Sequence, residues 1–275
     1  MPVKSLSAHH IDYLEDGDGE TVILVHSSVS GNRQWRSLSD ALKDDYRVVA
    51  PNLFGYGETT AWPGTRRQNL EDQAGLIVAL CEEVGGPVHL VGHSFGGAVA
   101  LKAAAILGSR VASLVMFEPM LAYLLAQNDR HDAYREAREL ADHVTACAST
   151  GNWDVAAARF ADYWLGDGAW AGMPEKRRGA FAASLRPSVH EFAAMLSETS
   201  TAPQYAALPS KTLVMHTTEA RDTIREIVSI LEEACPHWSF RQFTGAGHMA
   251  PLTDPDLVNP VIRGFLASSR LRSNE

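Results

Sequence analysis

The chain has 275 residues, 45% hydrophobic and 21% charged. A chain of this size and composition can bury roughly three quarters of its unfolded surface and needs no disulfide or metal to hold it together. Its 33 acidic and 24 basic side chains give a formal charge of −9, which argues against a nucleic-acid partner. The three cysteines, Cys81, Cys147 and Cys235, lie far apart with no C-x-x-C pair. That excludes a disulfide framework or a cysteine zinc knuckle and suits a reducing compartment. No apolar run follows Met1–Ser5, so a signal peptide is not expected. The longest uncharged stretch, Val84–Leu101, holds five glycines, a proline and two histidines, a poor membrane helix. A cytoplasmic protein without a membrane anchor is the expectation.

Taken in chain order, short β-branched runs alternate with helical patterns. Thr21–His26 reads as a buried strand, Arg33–Leu42 as a helix and Tyr46–Ala50 as a strand. A helix over Leu70–Val84 follows, with Leu70, Ala74, Ile77, Val78 and Cys81 on one stripe. Val88–Val91 is a strand, Gly96–Leu107 a helix of small residues and Val111–Phe117 another strand. This rhythm predicts an α/β fold, a mostly parallel sheet with helices on both faces. From Leu121 to Leu208 there is no strand pattern; apolar residues recur at helical spacing, as in Trp153, Ala157, Phe160 and Trp164. The rhythm resumes with a strand at Thr212–His216, a helix around Ile224–Leu231, a strand near Trp238–Phe243 and a helix over Asp256–Ala267. The expected organisation is one α/β core, residues 1–120 and 209–275, interrupted by an all-helical cap, residues 121–208.

The sharpest chemical signal is Gly92-His93-Ser94-Phe95-Gly96, a G-x-S-x-G sequence between a predicted strand and a predicted helix. A serine on such a turn is presented at the carboxyl edge of the sheet, and the flanking glycines let neighbouring backbone come close. A serine hydroxyl needs a base, and His248, in the loop between the last strand and the last helix, supplies one.

These motifs, with Val25–Ser28 after an early strand and Asn52–Gly57, resemble the α/β-hydrolase superfamily, specifically serine esterase-like members with a helical cap. The resemblance implies a nucleophile–acid–histidine triad, an oxyanion hole and no cofactor or metal. It implies that the backbone N–H groups of Ser28 and Phe95 hold the oxyanion, and that Asn52–Gly57 is a turn. Ser27 stands where the family often has glycine, and its hydroxyl is expected either to add a donor or to hold the loop. The acid is less plain, because Ala220 occupies the position where the family most often carries its aspartate. Glu118 ends the uncharged strand Val111–Phe117 and precedes Pro119, which is expected to keep it extended at the strand mouth. Some capped relatives, haloalkane dehalogenases among them, carry their acid at the end of this strand. Glu118 is therefore the expected acid, with Asp222 and Glu219 as alternatives; an ion pair of Glu118 with Arg130 or Arg135 is the competing structural reading. His26, Ser27, His93 and Trp164 are the side chains expected around the substrate pocket, His93 packing behind the nucleophile. Of the cap tryptophans, Trp153, Trp164 and Trp170, some are expected to roof the site.

The expected activity is hydrolysis of a carboxylic ester, thioester or lactone of a small, partly apolar substrate through an acyl-enzyme on Ser94. A carbon–carbon bond hydrolase of the same fold and a non-catalytic ligand receptor are the alternatives.

Overall fold

The structure, a computed structural model, describes residues 3–6, 9–208 and 210–269. The strands are β1 (Val3–Leu6), β2 (His9–Asp16), β3 (Thr21–Val25), β4 (Arg47–Pro51), β5 (Val88–His93), β6 (Val111–Phe117), β7 (Lys211–Thr217) and β8 (Ser239–Phe243). They form one sheet in the order β1-β2-β4-β3-β5-β6-β7-β8. β3 to β8 run parallel, and β1 and β2 are antiparallel to their neighbours. The helices of the α/β part are α1 (Arg36–Leu42), α2 (Leu70–Val84) and α3 (Phe95–Leu107). Between β6 and β7 lie α4 (Ala122–Gln127), α5 (His131–Ser149), α6 (Trp153–Leu165), α7 (Ala169–Gly172), α8 (Glu175–Ser184), α9 (Ser188–Leu196) and α10 (Ala202–Ala206). After β7 come α11 (Asp222–Ala234), α12 (Ala250–Thr253) and α13 (Pro255–Ser268).

Alternation along the central strands decides which layer each side chain enters. Val22 and Leu24 of β3 meet Leu38 of α1 and Ile262 of α13 on one face. Ile23 and Val25 meet α2, α3 and α11 on the other. The second cluster continues without a break into the inserted helices through Leu140, Phe160 and Met195. Two expectations change. The start of the helix expected over Arg33–Leu42 is a 3-10 turn, Asn32–Trp35, because Gln34 bonds back to Gly31 while Asn52 Oδ1 takes the Asn32 N–H. The hairpin β1–β2 has no counterpart in the sequence reading. No helix among the described residues is long and apolar enough to cross a membrane.

Candidate active site

Ser94 sits between the end of β5 and the start of α3 with φ 54° and ψ −120°, a conformation that strains any residue with a side chain. The neighbours hold it there. Its N–H donates to Phe117 O at 3.0 Å, and its carbonyl accepts from Gly97, Ala98 and Met120. A Cβ on Gly96 would strike the carbonyl oxygens of Val25 and His26, and one on Gly92 the carbonyl of Gly96. Both glycines of the motif are thus required by the close approach of backbone.

His248 lies in the loop before α12, and its Nδ1 is 2.6 Å from Glu118 Oε2. The other oxygen of Glu118 accepts from Thr217 N at 2.9 Å and Thr217 Oγ1 at 2.7 Å. Glu118 is fully buried. Burial alone would raise its pKa, but the His248 ring and the Thr217 donors outweigh it and hold the carboxyl below its ordinary range. The backbone at Glu118 is not extended, as expected before proline, but has φ 42°. Proline disfavours the right-handed helical region of the preceding residue; the left-handed turn found here is fixed by the Glu118 N–H to Met215 O bond and by the three contacts of the carboxylate. The alternative acids stand elsewhere. Asp222 is exposed and pairs with Arg225 at the start of α11. Glu219 is exposed and accepts from Gly245 N at 3.4 Å. Arg130 pairs with Glu226 and Glu233, and Arg135 with Asp132, so neither is the partner of Glu118.

Three buried side chains fix the loop after β3. Gln34 Oε1 accepts from Ser27 N at 3.0 Å and Ser27 Oγ at 2.8 Å, while its Nε2 lies 3.0 Å from His93 Nδ1. His93 Nε2 is 2.8 Å from the carbonyl oxygen of His248. A carbonyl only accepts, so His93 carries its proton on Nε2 and accepts from Gln34 on Nδ1. Burial, then the neighbouring His248, lowers its pKa well below the ordinary value and keeps it neutral. His26 Nε2 accepts from Leu53 N, which leaves its Nδ1–H to donate to Ser27 O; burial lowers its pKa to about 4. The Ser27 hydroxyl therefore holds the loop. His26 and His93, expected at the pocket wall, are fully buried behind it and line no cavity at Ser94. The backbone N–H groups of Ser28 and Phe95 engage no acceptor among the described residues.

Two cavities meet at Ser94. The larger, about 350 Å³, is walled by Ser27, Ser28, Phe160, Trp164, Phe181 and His248. Trp164 of α6 stacks on the His248 ring with centroids 4.0 Å apart and planes 25° from parallel. The smaller, about 20 Å³, is bounded by Ser28, Phe95, Ser188, Glu191 and Phe192 and does not reach His248. A third, polar cavity of about 480 Å³ approaches His248 from the side of Ala220, Arg221 and Arg225. Trp153 and Trp170 are half-buried against the apolar cluster, under Arg186 and Arg178, and line neither cavity at Ser94. No cluster of three or more metal-ligating side chains occurs among the described residues.

The family model described as the alpha/beta hydrolase family matches residues 22–261, from β3 through the nucleophile turn to α13. The chain belongs to the alpha/beta hydrolase family. Over 93% of its length this hydrolase is 27% identical to 2-hydroxymuconate semialdehyde hydrolase of Pseudomonas sp., of which the match covers 89%. It is 35% identical to Lipase LipV of Mycobacterium tuberculosis over 37% of this chain and 38% of that protein. Like the lipase, several of the curated relatives are matched over less than half of their own length. Among solved structures it is similar to an alpha/beta hydrolase from a Medee basin deep-sea metagenome library, with TM-score 0.81, 16% identity and full coverage of both chains. It also resembles the enol-lactonase of Burkholderia xenovorans, with TM-score 0.78, 16% identity, and 97% and 100% coverage.

Several residues around the hydrolase site escaped the sequence reading. Thr217 and Gln34 act through hydrogen bonds to partners 99 and 59 residues away, which no local pattern announces. Glu191 did leave a signal: it is the lone carboxylate on the apolar face of α9, beside Phe192 and Met195.

Proposed function

We propose that this hydrolase cleaves a carboxylic ester, or a thioester or lactone, of a small and partly apolar substrate through an acyl-enzyme on Ser94. The observation that carries this reading is the buried Glu118 held 2.6 Å from His248 Nδ1 in a site whose wall includes Ser94. With Nδ1–H donated to Glu118, the lone pair of His248 is on Nε2, the nitrogen left to serve the nucleophile. His248 takes the Ser94 proton as Oγ attacks the carbonyl carbon, and the N–H groups of Ser28 and Phe95 receive the oxyanion. The imidazolium, steadied by Glu118 and by the face of Trp164, returns the proton to the departing oxygen. Water activated by His248 then releases the acid and restores Ser94. The leaving group must sit beside the proton donor, which assigns it to the larger, aromatic cavity.

A second reading, hydrolysis of a carbon–carbon bond in a diketone, is favoured by the match over 93% of the chain to a semialdehyde hydrolase. One panel separates the two: p-nitrophenyl esters of rising chain length beside a 2-hydroxy-6-oxodienoate. Cleavage of the esters with covalent labelling by a fluorophosphonate, both lost in Ser94→Ala, is the expected result. Ester cleavage that survives Ser94→Ala would overturn the acyl-enzyme, and exclusive cleavage of the dienoate would favour the second reading.

A further inference from the structure

Glu191 is buried on the apolar face of α9, and its Oε2 accepts from Ser28 Oγ at 2.5 Å. The Tyr56 hydroxyl and Ser188 are its other partners. Tyr56 is buried in the turn after β4, and its oxygen accepts from Val29 N–H at 2.9 Å. The phenolic proton is therefore free to go to Glu191. Even with these partners, burial pushes the Glu191 carboxyl up to about 7. An apolar residue would fill this face of the helix at lower cost. Among the described residues, the partners of Glu191 beyond its own helix are Ser28 and Tyr56, and Tyr56 leads on to Val29. Both routes end in the loop after β3.

That loop is held under strain. Val29 is β-branched yet has φ 70°, a conformation that persists only where the surroundings impose it. Both peptides flanking Ser28 are fixed. The carbonyl of Ser27 accepts from His26 Nδ1 at 2.7 Å. The N–H and C=O of a trans peptide point in opposite directions, so the Ser28 N–H is turned away from His26. The following peptide is held by the bond from Val29 N–H to Tyr56, and the Ser28 side chain by Glu191. Ser28, Ser94, Phe95 and Glu191 border one small cavity. We infer that Glu191 is a positioning residue for the oxyanion hole: acting from the inserted helices through Ser28 and Tyr56, it sets the aim of the Ser28 N–H. It touches no reacting atom itself. The hole is completed by an inserted helix and not by the sheet and its loops alone. This role rests on the acyl-enzyme on Ser94 proposed above.

The test compares p-nitrophenyl butyrate with its thiono analogue, in which sulfur, a larger and weaker acceptor, replaces the carbonyl oxygen. Each kcat/KM is divided by the ester's rate with hydroxide. The wild-type protein is expected to favour the oxygen ester, because the backbone N–H groups stabilise an oxyanion. Loss of one such donor costs about a hundredfold or more in kcat, so its misalignment in Glu191→Leu should lower kcat for the oxygen ester roughly tenfold with KM little changed. The thiono ester should lose much less, so the oxygen-to-sulfur ratio should fall. Tyr56→Phe and Ser28→Ala each cut one link while keeping the Ser28 N–H. Both should lower the ratio in the same direction, and they carry the test if Glu191→Leu does not fold. Glu191→Gln, whose amide oxygen still accepts, should retain most of the ratio. Equal losses on both esters at an unchanged ratio would overturn the positioning role and leave Glu191 a structural tether. Wild-type kinetics in Tyr56→Phe and Ser28→Ala alike would overturn it too. No preference for the oxygen ester in the wild type, or cleavage surviving Ser94→Ala, would overturn the acyl-enzyme reading as well.

Discussion

At Glu118 the backbone enters the left-handed region while the side chain makes three contacts with its surroundings. A residue so placed orients a ring, and its charge matters more than its size. In serine proteases the acid-to-amide change costs about four powers of ten in turnover, so Glu118→Gln should lower kcat by roughly a hundredfold or more. Asp222→Asn and Glu219→Gln, both at exposed positions, should change it by less than about twofold; steady-state kinetics on one good ester checks all three. The depressed carboxyl also has a stability consequence. The hydrogen bonds its carboxylate accepts from His248 and Thr217 strengthen the fold above the unfolded value of 4.5 and are lost as pH falls below that through the folded value. The gap in melting temperature between wild type and Glu118→Gln should therefore narrow in acid. Glu191 is the opposite case. Burial raises its carboxyl to about 7 from 4.5, so its contribution is intact below 4.5 and lost as pH rises to about 7. That loss amounts to about 3 kcal/mol. Glu191→Gln should gain on the wild type by up to this amount between pH 4.5 and 8 in urea unfolding; parallel curves would count against it.

Among the elements, α6 contributes most directly to the site, because it carries both Phe160 and Trp164 to the larger cavity. Removing the indole with Trp164→Ala should lower kcat/KM for short esters roughly tenfold, through loss of the stack on a ring that becomes charged. It should also shift preference toward longer leaving groups as the roof opens. Trp170→Ala, outside the cavity wall, should do less to the chain-length profile. The apolar strands β3 to β7 and the helices were readable because their periodicities follow directly from burial on one or two faces. β2 was not: Asp12 lies among its buried residues, its Oδ2 accepting from Asn52 Nδ2 and Glu58 N, and an acid there breaks the apolar run. The serine turn and the histidine loop were likewise legible, because each needs glycine nearby. The buried wall formed by Gln34, His93 and His26 was not, since its hydrogen bonds close between distant segments.

For the whole molecule, the apolar cluster on one face of the sheet runs on into the inserted helices. Shared packing of this extent makes the two parts cooperative. A single calorimetric transition, with equal calorimetric and van't Hoff enthalpies, is expected, and removal of residues 121–208 should leave an insoluble product. Two separate transitions would contradict it. The stack of Trp164 on His248 spans the same boundary, with its indole on an inserted helix and its imidazole on a loop of the sheet. A protonated imidazole quenches indole emission far more than a neutral one, and quenching fades as the rings separate. The protein thus contains its own optical reporter: the difference in fluorescence between wild type and Trp164→Phe reads the contact between the indole and the imidazole, and any separation of the two rings would brighten it.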